Sequence, residues 1–96
     1  MKKYKAKILP NELKAEVGAV VPLITNHEIY GPRVGSVEIV DPNFGIITTD
    51  KVLNLGQKLS AGAFVKSGGV HEIREVSLVK YPRYEDCEIL EVIADD

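Results

Sequence analysis

Apolar and polar residues alternate along much of this chain, the spacing of strands with one buried face. At the start Lys3, Lys5 and Lys7 fall on one side and Tyr4, Ala6 and Ile8 on the other. That predicts a strand over 3–9, closed by Pro10-Asn11. Residues 11–17 fit either a helical turn capped by Asn11 or an extended segment. Residues 17–24 are rich in β-branched side chains and read as a strand. Pro22 puts that strand at an edge or a strand end, because proline has no N–H for a ladder. Residues 26–33 form a loop broken at Gly31-Pro32. Segments 34–40 and 45–49 predict a hairpin around Asp41-Pro42-Asn43-Phe44-Gly45, whose Asn and Gly suit positive φ. Thr49 or Asp50 is placed to cap a short helix, with Val52, Leu53 and Leu55 as its apolar positions and Gly56 as its stop. Strands follow at 59–66 and 70–79 around Ser67-Gly68-Gly69, then a bend at 81–84 and a last strand at 87–94. The expected fold is mainly β: one domain over 1–96, built as a small antiparallel β-barrel or curled sheet with one short helix.

Composition narrows the class without changing that picture. An apolar fraction of 45% and a charged fraction of 27% are ordinary for a globular chain with one modest core. The net charge of −2, and the absence of a basic patch interleaved with aromatics, point away from nucleic acid as a partner. Lys2, Lys3 and Lys5 make a basic start, and Glu85, Asp86, Glu88, Glu91, Asp95 and Asp96 an acidic end; both read as solvated termini. Cys87 is the only cysteine, which leaves no disulfide framework and no cysteine-based zinc site, and fits a reducing compartment. Its neighbours Asp86 and Glu88 would raise its pKa, so it is a poor nucleophile. No apolar run is long enough for a membrane span or for the core of a signal peptide. No metal-ligand spacing, phosphate-binding glycine loop or nucleotide fingerprint occurs, so no cofactor or metal is expected.

The residues able to carry chemistry are few. Acyl transfer needs an activated nucleophile, a base within reach and a group that orients the base. The histidines are His27 and His71, and the serines Ser36, Ser60, Ser67 and Ser77. Ser60 shares its strand face with Gly62 and Phe64; its small neighbours leave space for a substrate backbone, and Gly62 lets another chain approach closely. Taken locally, Ser60 reads first as a strand serine satisfied by backbone, His27 as an exposed loop histidine, and His71 as a strand histidine beside a turn. By simple alternation His71 shares a face with Ile73, Glu75 and Ser77. Glu75 sits among Ile73, Val76 and Leu78 and needs a partner if buried, with Arg74 or a cross-strand lysine as the ordinary choice.

Five short segments in order carry more. They are Val21-Pro22-Leu23-Ile24-Thr25-Asn26-His27, Val34-Gly35-Ser36-Val37, the turn from Asp41 to Gly45-Ile46, Leu59-Ser60-Ala61-Gly62-Ala63-Phe64, and Glu75-Val76-Ser77-Leu78-Val79-Lys80-Tyr81-Pro82. Together they resemble the core of the prohead (capsid-maturation) serine proteases of tailed phages, over about residues 20–90. The resemblance implies a fold like the herpesvirus assemblin proteases, with His27 as base, Ser60 as nucleophile and Glu75 as orienting acid. His71 is the alternative third member, since the assemblin relatives use a second histidine. It further implies scaffold or major capsid polypeptide as substrate, a homodimer as an open option, and a place in the host cytoplasm or inside the prohead. The chain departs from the family in two ways: the stretch before the serine strand shrinks to Asp50–Lys58, and Pro82 is followed by Arg83 where the family has alanine. The alternative is therefore a catalytically inactive β-barrel kept as a structural protein of phage capsid assembly.

Overall fold

A computed structural model describes residues 1–95, so Asp96 of the acidic end lies outside the described residues. The chain is mainly β. Its strands are β1 (Lys2–Lys7), β2 (Lys14–Ala15), β3 (Val20–Thr25), β4 (Gly35–Ile39), β5 (Phe44–Thr49), β6 (Leu59–Val65), β7 (Val70–Leu78) and β8 (Ile89–Asp95). The alternation places them: β1 buries Tyr4 and Ala6 while its lysines stay at or near the surface. The hairpin over 34–49 forms as β4–β5, with Val37 opposite Ile47 in the core. The ambiguous 11–17 segment holds no helix: a turn closed by Leu13 N–H to Pro10 O at 3.0 Å leads into the two-residue strand β2. Asn43 Nδ2 donates to the carbonyls of Pro10 and Leu13 at 2.9 and 2.7 Å, drawing the segment onto the hairpin turn.

The strands form one sheet in the order β2-β7-β3-β4-β5-β1-β8, with β6 on the other edge of β7. It is mixed rather than antiparallel. β2 pairs parallel to the beginning of β7 and β3 parallel to its end. Local turn signals reveal hairpins, whereas parallel ladders join segments far apart in sequence and leave no local mark. Pro22 lies on the part of β3 that pairs with β4 alone; pairing to β7 begins one residue later, at Leu23.

The sheet curls but is unclosed. One bridge, Lys58 to Glu88, links the approaches to β6 and β8, supported by bonds from Leu59 N–H to Cys87 O and from Ile89 N–H to Gln57 O. Among the described residues no ladder continues between β6 and β8 beyond it. Inside the curl Ile8, Leu23, Val37, Ile39, Ile47, Leu59, Val76 and Ile89 are fully buried. Each such side chain contributes about 1.5–3 kcal/mol relative to exposure.

The expected short helix over 49–56 is absent. Val52 and Leu55 are 77% and 60% exposed, so only Leu53 of its three apolar positions packs on the core. A segment this short does not nucleate a helix without tertiary support, and its backbone groups find other partners. Lys51 N–H donates to Thr49 Oγ1 at 3.1 Å and Leu53 N–H to Tyr4 Oη at 3.0 Å.

Cys87 is buried next to the Lys58–Glu88 bridge. Burial, assisted by the Asp86 charge, pushes its thiol from 9.0 up to about 11. The folded state thus holds a proton that an unfolded thiol releases. The stability this contributes is complete below about pH 9 and is lost as pH rises toward about 11. The loss is at most roughly 3 kcal/mol. Urea unfolding across this range should therefore show a steeper alkaline decline for the wild type than for Cys87→Ala.

Candidate active site

The site is built where β6 runs antiparallel to β7. Ser60 lies opposite Ser77, and Gly62 opposite Glu75. Beyond Gly62 the register shifts, Ala63 pairing with Ile73, so that Arg74 is an extra residue on β7 and points to solvent. This bulge reverses the alternation. Glu75 and Ser77 share a face with Ser60 and Gly62, while His71 faces with Ala61, Ala63 and Val65 on the other side. There His71 lines a small cavity of about 110 Å³ with Leu9, Arg83 and Tyr84. The expectation from odd numbering, that His71 shares a face with Glu75, is therefore overturned. His71 has no route to the third position of a site containing Ser60.

His27 arrives from the other edge of β7. The end of β3 pairs parallel with it, Ile24 opposite Ser77 and Thr25 opposite Leu78, and Asn26 N–H donates to Leu78 O at 3.1 Å. Asn26 and His27 then take φ of 49° and 57°. Both residue types are enriched in this left-handed region, which still costs a side-chain-bearing residue about 1–2 kcal/mol. The turn brings His27 over Ser77, whose Oγ accepts the His27 backbone N–H at 2.9 Å. The ring reaches Glu75, Nδ1 to Oε1 at 2.5 Å.

Glu75 is buried, with 9% of its side chain exposed, against 46% for His27. Both carboxylate oxygens are used: Oε1 by the imidazole, and Oε2 by the Ser77 hydroxyl, which donates to it at 2.9 Å. Hydrogen bonds to a charged group contribute about 1.5–3 kcal/mol each, and here they offset desolvation of the carboxylate. The ordinary partner foreseen for Glu75, Arg74, is turned away by the bulge. It pairs instead with Glu72 at 3.2 Å and lies over the Phe64 ring. An ionised Glu75 accepting from Nδ1 assigns the ring proton to that nitrogen and leaves Nε2 as the basic one.

The structure brings His27 and Glu75 into contact and puts Ser60 on the same face, one strand spacing from Ser77. The Ser60 side chain is partly exposed, and among the described residues no hydrogen bond joins it to His27. Gly62 is small for a reason the sequence reading missed. A Cβ there would overlap Glu75 Oε1 and lie 3.1 and 3.2 Å from Cδ and Cγ. The space beside Gly62 admits the Glu75 carboxylate, not another chain. Ser77 was also unassigned; the available signal was a hydroxyl two residues from a carboxylate on the same face of a buried strand. An open cleft of about 380 Å³ is lined by Thr25, Asn26, Gln57, Leu78, Val79 and Lys80, and none of His27, Ser60 and Glu75 lines it. Among the described residues no three His, Cys, Asp or Glu side chains converge as a metal site.

No protein-family model, curated protein or solved structure matches the chain.

Gly62→Ala should force the Glu75 carboxylate off His27. Overpacking of this kind costs about 1–3 kcal/mol, so the urea midpoint should fall, and the His27 ring resonances should move toward those of Glu75→Gln.

Proposed function

We propose that the chain is a small serine peptidase of the prohead type, acting on scaffold or capsid polypeptide during phage head maturation. The observation that carries this reading is the Glu75–His27 contact on the face of β6 that presents Ser60. A buried carboxylate holding Nδ1 of a half-exposed imidazole is the orienting half of a hydrolytic triad. The motif resemblance supplies the substrate class and the setting, in host cytoplasm or within the prohead. The curled sheet, bridged at Lys58 and Glu88, then reads as an opened form of the assemblin-type barrel.

In this mechanism Ser60 Oγ attacks the scissile carbonyl while His27 Nε2 takes its proton. The C–N bond breaks as that proton passes to the leaving amine. Water, deprotonated by the same nitrogen, then cleaves the acyl-Ser60 ester. Glu75 stays ionised and keeps Nδ1 protonated throughout, stabilising the imidazolium that forms.

One observation favours a second reading, a structural capsid-assembly protein without activity: the Ser60 hydroxyl makes no hydrogen bond to His27. Unliganded sites are often looser than reacting ones, and a direct test separates the two. Ser60→Ala removes one oxygen from a partly exposed strand position, so the fold should persist. Cleavage of scaffold or capsid polypeptide should fall at least about a thousandfold, and a fluorophosphonate should label the wild type at Ser60 alone. No cleavage by either form would favour the structural reading, and cleavage unchanged in Ser60→Ala would remove Ser60 as the nucleophile.

A further inference from the structure

Ser77 touches both members of the His27–Glu75 pair yet is completely buried. Its hydroxyl has one proton and two lone pairs. The proton goes to Glu75 Oε2 and a lone pair takes the His27 backbone N–H, both at 2.9 Å. The hydroxyl therefore ties the left-handed turn to the carboxylate that the turn's own side chain must meet. One bond sets the rotation of the carboxylate so that Oε1 faces the ring. The other fixes the point from which the ring departs. Without the hydroxyl, a buried carboxylate oxygen loses its only donor among the described residues, and a strained turn loses an anchor.

We propose that Ser77 is a positioning residue, which sets the tautomer and orientation of His27 through Glu75 and through its own 3.4 Å approach to His27 Nδ1, without touching substrate. The catalytic part of this role rests on the reading of His27 as base. The same geometry excludes Ser77 as a rival nucleophile, since its oxygen is inaccessible and its proton is committed to a carboxylate.

The test is ring-nitrogen NMR of His27 in wild type and Ser77→Ala, paired with peptide hydrolysis. At a pH where the ring is neutral, the wild type should carry its ring proton on Nδ1. Ser77→Ala should show a mixture of tautomers and a displaced His27 titration. Hydrolysis should lose roughly tenfold to a hundredfold of the 10²–10⁴ that a positioned base supplies, in kcat with KM little changed, and the midpoint of the pH profile should move with the NMR titration. A measurement on the wild type stands even if the variant fails to fold: the His27 backbone amide should be protected from hydrogen exchange. An unprotected amide, or a Ser77→Ala protein whose His27 keeps the wild-type tautomer and titration, overturns the proposal. If the tautomer shifts but the wild type cleaves no peptide, the positioning role stands and the peptidase reading falls. If Ser60-dependent cleavage is found while the tautomer is unmoved, the reverse holds.

Discussion

β7 is hydrogen-bonded along both edges, to β6 on one side and to β2 and β3 on the other. Every residue of the candidate site is placed by one of these ladders. The antiparallel ladder puts Ser60 and Gly62 beside Ser77 and Glu75. The parallel ladder ends β3 at the same end of the sheet and delivers His27. Pairing on two sides also explains the burial of Val76 and Ser77, and hence why a carboxylate at Glu75 must find its partners inside the protein.

That buried carboxylate constrains its neighbours in turn. It needs space, which only glycine at position 62 leaves open. It needs donors, and among the described residues Ser77 and His27 reach it. Reaching it requires two successive left-handed residues at Asn26 and His27. Strain of this size persists only where surrounding contacts over-determine the conformation, and such places cluster at functional sites. Here the contacts are the bonds from Asn26 N–H to Leu78 O and from His27 N–H to Ser77 Oγ.

Much of the strand pattern was legible because one-sided burial leaves a period of two. The hairpin at 34–49 and the strands carrying Ser60 and Glu75 came out within a residue or two of where they lie. The helix at 49–56 was misread because its three apolar residues supply no common buried face once the loop is pinned to Tyr4 and Thr49. Residues 11–17 were undecided because their partner, Asn43, is distant in sequence and acts through its side chain. His71 was misplaced because counting odd positions assumes an unbroken strand, and one extra residue at Arg74 reverses the count.

The sequence by itself determined the class of fold and the short roster of residues able to do chemistry, since hydrophobic period and residue type are local properties. It contained His27, Ser60 and Glu75 without stating how they relate. Tertiary structure decided that Glu75 rather than His71 shares the face of Ser60, that Gly62 accommodates a carboxylate, and that Ser77 binds the turn to it. The physical reason is that register, a bulge and a parallel ladder are agreements between strands far apart in the chain. Such agreements are settled by which backbone and side-chain groups can be satisfied together, and no window of neighbouring residues contains that information.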